Sequence, residues 1–306
     1  MSSPHITDRV LRPTNVGKET YISNLIDINK LAAAVKKAQA EGTGQPCDTA
    51  VILHLYYPDL WDEIRCFLAN LGSDFDLYVS VCDTADDSTV ERIKQHYPGA
   101  FVCKVENRGR DIGPFMEIYP VIAKYYRYIC KIHSKKSLTH AGGDVWRFDL
   151  YNKLLGSPRR IAKIKALFKR APHVGMIVAE GQLFSCQNFI YRNEEKVIDL
   201  AKRVGAKEPI DLDYSFPAGS MFWFRPDALT ALLGLNIRQA SFELEQGQDD
   251  GTLAHAMERV FPLAATVAGY QIVDTRRLSS FWGRNLTRLL RWIIKMGRKC
   301  LNQRAG

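Results

Sequence analysis

The sequence predicts an α/β protein built on a mainly parallel central sheet with helices on both faces. Three observations carry this. Short, almost wholly apolar runs alternate with amphipathic helical patterns from about residue 47 onward, and strands apolar on both faces belong to sheets covered on both sides. Several helical patterns open on helix-starting chemistry such as Pro58-Asp59 and Ser157-Pro158. Glycines and charges collect where the apolar runs stop, which in such a fold is one rim of the sheet.

Taken in order, "YISNLIDINKLAAAVKKAQAEGTGQ" predicts a helix stopped by Gly42 and Gly44, within an N-terminal extension covering residues 1–46. "TAVILHLYY" predicts the first strand and "PDLWDEIRCFLANL" the helix after it. The pattern repeats with "FDLYVSVC" and "DSTVERIKQHY", then with "AFVCKVEN" and "IGPFMEIYPVIAKY", and arrives at the strand "YRYICKIH". Beyond Ser137 lie two helical patterns, "DVWRFDLYNKLLG" and "SPRRIAKIKALFKRA", then a strand "VGMIVAE" and a segment of little periodicity from Gly181 to about Asp213. "FPAGSMFWFRPDALTALLGL" reads as loop, strand and helix. "DDGTLAHAMERVF" reads as a helix with Asp249 and Asp250 in its first turn, and "YQIVDT" as the last strand. No internal repeat or interdomain linker interrupts residues 47–277, so these form one domain.

Composition narrows the class. At 306 residues and 46% hydrophobic content the chain buries a large core. Its seven cysteines are scattered, mostly within apolar runs and without a CxxC pair, which predicts reduced thiols in the cytoplasm rather than a disulfide framework or metal site. The start "MSSPHITDRV" has no apolar signal region, and no run reaches the roughly 18 apolar residues of a membrane span. The net charge of +9 suggests nucleic acid at first sight, but the seven cations from Arg284 to Arg304, with no acid among them, account for most of it. The body is nearly neutral, so nucleic acid is not the expected partner. Within the tail, Arg284, Arg288, Arg291, Lys295 and Arg298 form one helical stripe and Trp282, Leu286, Leu289, Ile293 and Met296 another. Residues 278–306 thus fit a basic amphipathic helix on an anionic membrane surface; a helix docked on its own domain with a solvated basic face fits equally.

The rim holds the candidate chemistry. In "ENRGRDIGPF", Gly109 and Gly113 let backbone amides approach an anion at a helix start, and Arg108 and Arg110 add bidentate donors beside Asn107 and Asp111. "KIHSKKS" sets His133, Lys135 and Lys136 just past a buried strand, where phosphate is the natural ligand. His54, Tyr56 and Tyr57 end the first strand with rings able to stack on a nucleobase, and Asp83 ends the second. Neither GxxxxGK[ST] nor GxGxxG is present, so no P-loop or dinucleotide site is expected.

Six ordered segments, "HLYYPDLW", "FDLYVSV", "ENRGRDIGPF", "KIHSKKS", "FPAGSMFWFRPDAL" and "DDGTLAHAMERVF", resemble the rhamnan synthesis protein F family of bacterial glycosyltransferase-like proteins of cell-surface polysaccharide and O-antigen assembly. The resemblance spans roughly residues 48–275. It implies a single Rossmann-like domain of the GT-A type, in which the end of the first strand holds the base of a nucleotide sugar. By the same likeness Asn107 and Gly109 match an Asn-x-Gly donor segment, Ala218, Gly219 and Ser220 an acceptor loop, and Asp249 and Asp250 an acidic pair supplying a general base. Where GT-A enzymes carry Asp-x-Asp for a metal, this chain has His133-Ser134-Lys135-Lys136. The resemblance therefore implies transfer without a metal cofactor, cations standing in for it, with Mg²⁺ or Mn²⁺ at Asp83 or Asp111 left open.

The implied activity is transfer of a hexosyl or rhamnosyl group, with inversion, from a nucleotide diphosphate sugar to a lipid-linked glycan. It would take place at the inner face of the cytoplasmic membrane, with other polysaccharide-assembly enzymes as compatible partners. The alternative is a non-catalytic glycan- or lipid-binding subunit of the same assembly. For Asp249 and Asp250 the plain alternative is helix capping.

Overall fold

The computed structural model of the protein describes residues 26–41, 47–134 and 143–278. Lys135, Lys136 and the tail from residue 279 lie outside the described residues.

The first half follows the predicted alternation. After helix α1 (Ile28–Glu41) come β1 (Thr49–Leu55), α2 (Trp61–Leu68), β2 (Asp76–Cys82), α3 (Asp87–His96), β3 (Phe101–Val105), α4 (Ile112–Ile122) and β4 (Tyr128–His133). Then follow α5 (Gly143–Leu155), α6 (Pro158–Arg170), β5 (Val174–Val178), β6 (Leu183–Ser185), α7 (Glu194–Arg203), β7 (Ser215–Pro217), β8 (Phe222–Phe224), α8 (Leu253–Val267) and β9 (Gln271–Asp274). Seven strands form one sheet in the order β3-β2-β1-β4-β8-β5-β9, and β6 with β7 forms a separate antiparallel ribbon.

All pairs in the large sheet are parallel except those of β8, which runs antiparallel to both β4 and β5. The alternation rule describes β1–β4 and fails at β8 for a physical reason. The chain enters β8 from the β6–β7 ribbon rather than from a crossover helix, so nothing forces it parallel.

β1 is buried along its whole length. Its alternate residues feed two cores: Ala50 and Ile52 meet α1, α4 and α8, whereas Val51, Leu53 and Leu55 meet α2, α5 and α6. Phe115, Phe222, Phe224 and Phe261 fill the first core, and Trp61, Tyr151, Phe168 and Trp223 the second. Each such side chain contributes about 1.5–3 kcal/mol on burial, so the sheet is clamped from both faces. The N-terminal helix takes part as well, because α1 packs on α4 through the fully buried Leu31 and Val35.

Local chemistry sets the helix ends. Ser157 Oγ accepts from the Arg160 amide, with Pro158 in the first turn of α6, as predicted. α8 differs from its prediction. Gly251, at φ +81°, breaks the chain direction and the Thr252 hydroxyl caps the helix, so Asp249 and Asp250 lie on the preceding loop and not in the first turn. The segment from Gly181 to Asp213 is also more regular than its weak periodicity suggested. It contains α7, whose Val197, Leu200 and Ala201 form a buried stripe, with Glu194 and Glu195 at its start and Lys202 and Arg203 at its end to match the helix dipole.

Candidate functional site

Parallel register brings the ends of β1–β4 to one rim, with His54 opposite Ser80 on one side and His133 on the other. The loop after β3 turns back through two residues of positive φ, Gly109 at +71° and Arg110 at +54°. A Cβ at Gly109 would lie 2.5 Å from Phe242 Cγ. The glycine thus makes room for an aromatic ring as well as for the turn. The amides of Ile112 and Gly113 both donate to the Gly109 carbonyl, at 3.0 and 2.8 Å. The expected anion cradle at the start of α4 therefore has these two donors already engaged.

The segment Arg238–Asp250 straps this loop from above. Arg108 donates to the Phe242 carbonyl and pairs with Glu106, while Arg110 pairs with Glu245 and donates to the Gln248 carbonyl. Gln239 reaches the Glu106 carbonyl at 2.8 Å. Both arginines expected to meet phosphate are thus engaged by the strap, and Arg110 also lines a cavity.

That cavity, about 280 Å³, lies among the rim, the Pro217–Ser220 turn and the start of α8. Arg110, Asp111, His133, Ala218, Gly219, Ser220 and Asp249, seven residues singled out from the sequence, line it together. Asp250 does not. Its carboxylate accepts from the Arg192 amide at 2.9 Å and the Asn193 side chain at 2.6 Å, tying the loop to the start of α7. Burial alone would raise its pKa, but these hydrogen bonds and that of Gly251 hold it below the usual value.

His54, Tyr56, Tyr57, Asp83, Asn107 and Gly109 stand around the rim outside the cavity lining. His54 is buried with Nδ1 2.9 Å from Ser80 Oγ, and burial pushes its pKa down to about 4, so it is neutral at pH 7. Asn107 donates to the Tyr56 hydroxyl at 3.4 Å, linking the ends of β1 and β3, and the Tyr56 and Tyr57 rings meet edge-on.

The centre of the site is a residue that sequence reading passed over. Lys131, within the apolar run of β4, is 1% exposed among the rings of Phe115, Phe222 and Phe261. Its ammonium binds the Asp111 carboxylate and donates to the Ser220 carbonyl and hydroxyl at 2.8 and 2.7 Å. Burial would raise the Asp111 pKa, but the neighbouring His133 and Lys131 charges and the lysine hydrogen bond outweigh it and hold Asp111 ionised far below the usual carboxylate range.

His133 Nε2–H donates to the Gly219 carbonyl at 2.8 Å, and the Gly219 amide donates to Glu258 Oε1 at 2.9 Å. The turn is thus held from β4 and from α8 at once. His255, Glu258 and Arg259, further along α8, also reach the cavity, and their spacing of three and four residues on a helix face was the signal that could have found them. The His255 pKa is pushed down to about 4, first by burial and then by the Arg110 charge. Among the described residues no three His, Cys, Asp or Glu side chains are grouped to hold a metal ion.

A doubly covered, mainly parallel sheet with a charged cavity at its strand ends defines an α/β protein whose candidate site lies at its rim. The family model described as rhamnan synthesis protein F matches residues 4–270, and the chain belongs to that family. Membership points to polysaccharide synthesis of the rhamnan type. Two curated relatives, both called uncharacterized protein WxcX and from two strains of Xanthomonas campestris pv. campestris, are each 35% identical to this chain over 228 residues. The match takes in 74% of this chain but 32% of each relative, so the chain spans about a third of their length.

Proposed function

We propose that the protein transfers a sugar from a nucleotide diphosphate donor to a lipid-linked cell-surface glycan. The observation that carries this reading is the cavity itself. Its lining gathers cationic and hydrogen-bonding groups, Arg110, His133 and Arg259, together with the carboxylates Asp111, Asp249 and Glu258, around the Gly219-Ser220 turn. Family membership supports a role in polysaccharide assembly.

On this reading the acceptor hydroxyl loses its proton to Asp249, the member of the acidic pair that faces the cavity. Its oxygen attacks the anomeric carbon as the bond to the diphosphate breaks, and the electron pair leaves with the nucleoside diphosphate. Arg110, with Lys135 and Lys136 from outside the described residues, offsets the negative charge of the leaving group. Asp111 is already neutralised by the buried Lys131, which supports cations rather than a metal in this place. Tyr56 and Tyr57 remain the proposed stack for the base. Residues 47–277 would form the transferase domain.

Calorimetric titration with nucleoside diphosphates tests the donor half of the reading. Lys135→Ala should weaken binding by about 1.5–3 kcal/mol, the scale of one hydrogen bond to a charged group. Unchanged affinity would remove the "KIHSKKS" segment from the donor site.

A further inference from the structure

Three aromatic side chains share the lining of the cavity, and the geometry points to a subsite there for one pyranose ring of the acceptor glycan, with Trp146 as its stacking platform. The inference rests on the transferase reading but concerns the acceptor alone. These are Trp146 on α5, Phe189 and Phe216 on β7, and each is held in place. The Trp146 indole N–H donates to the buried Gln182 side chain at 2.8 Å. Arg259, 5% exposed, lies 4.7 Å over the Phe216 ring and donates twice to the Phe189 carbonyl, at 3.2 and 2.9 Å. Farther out Tyr191, 63% exposed, meets Phe189 edge-on at 5.9 Å.

Trp146 and Phe189, pinned in this way, are only partly buried and so keep ring surface at the cavity, whereas Phe216, 3% exposed beneath Arg259, backs them. Such ring faces suit the C–H face of a sugar, while the polar groups of the lining suit its hydroxyls. A nucleobase also stacks, but position argues against it. A Cβ at Gly219 would lie 3.3 Å from the Trp146 six-membered ring, so the indole abuts the Gly219-Ser220 turn, the segment matched to the acceptor. The ligand class is thus a pyranoside that presents an apolar C–H face.

The test uses the full chain, saturation-transfer NMR and calorimetry, with a synthetic trirhamnoside, a panel of methyl hexopyranosides and, separately, dTDP and UDP as probes. Trp146→Ala should weaken binding of the sugar probe on the order of tenfold, Trp146→Phe should restore most of it, and nucleotide affinity should stay unchanged in both. Sugar binding that is indifferent to Trp146→Ala, nucleotide binding that falls with it, or a wild-type chain that binds no member of the panel would each overturn the subsite. Circular dichroism of both variants separates unfolding from loss of the platform. Sugar binding through Trp146 in a protein that transfers nothing would sink the transferase reading and leave the subsite standing. Transfer unaffected by Trp146→Ala would do the reverse.

Discussion

The Lys131 ammonium sits 2.7 Å from the Ser220 hydroxyl and 2.8 Å from its carbonyl, and so holds a non-glycine residue at a φ of +54°. A backbone in that region costs on the order of 1–3 kcal/mol and persists only where its surroundings dictate it. Lys131 supplies the dictation, and the same ammonium neutralises Asp111. The shape of the proposed acceptor turn and the charge of the rim therefore depend on one buried lysine.

Lys131→Met should leave a buried carboxylate without its cation and destabilise the protein by about 3–5 kcal/mol. Urea unfolding measures this directly. The double variant Lys131→Met with Asp111→Asn should recover a large part of the loss, because the stranded charge is then gone. A single variant costing under about 1 kcal/mol would mean that Asp111 finds another partner.

Acid should unfold the protein earlier than its carboxylates alone require. His54 has its pKa depressed in the folded state from 6.5 to about 4, with burial as the main cause. Between these values the unfolded chain binds a proton that the folded one does not, so stability is full above pH 6.5 and falls as pH drops toward 4. The slope is about 1.4 kcal/mol per pH unit for this group, and His255 acts in the same direction. Asp111, also depressed, adds its own loss at lower pH, below the ordinary carboxylate value of 3.8. His54→Gln should flatten the pH 4–6.5 limb by about one proton, and a variant with the wild-type slope would refute the assignment.

The two acids of the α8 loop should separate by role. Asp249→Asn should keep the fold and the donor affinity and lower turnover by at least about a hundredfold. Asp250→Asn should act mainly on stability, at about 1 kcal/mol, because it loosens the bonds to Arg192 and Asn193. Kinetics and thermal melts on the pair decide this. The opposite pattern would assign the base to Asp250.

These two acids also mark how far sequence alone reached. Strands β1 to β4 were legible because burial on both faces writes itself as an unbroken apolar run, as in "TAVILHL". The rim was legible because glycine and charge end such runs. Lys131 was not, since a lysine inside "YICKIH" looks like an interruption until Asp111 and Ser220, 20 and 89 residues away, are seen around it. The sense of β8 depends on long-range pairing with β4 and β5 that three residues cannot encode. Asp249 and Asp250 are neighbours of one type, and only Arg192 and Asn193, far off in sequence, tell them apart.

The basic tail stays a proposal about membranes. None of the described helices is long and apolar enough to cross one, and the proposal is association at the surface. Deleting residues 279–306 should release the protein from anionic vesicles in cosedimentation while nucleotide binding persists. A truncated chain that still sediments would reject the interfacial helix.

The central claim is sugar transfer at the β1–β4 rim with cations in place of a metal, and acceptor-dependent release of nucleoside diphosphate in the presence of a chelator tests it most directly. With lipid-linked glycan acceptor and a panel of dTDP and UDP sugars, the wild-type chain should release nucleoside diphosphate at an undiminished rate in chelator, and Asp249→Asn should not. No acceptor-dependent release from any donor would contradict the transferase reading, and release abolished by chelator and restored by Mn²⁺ would contradict its metal-free form.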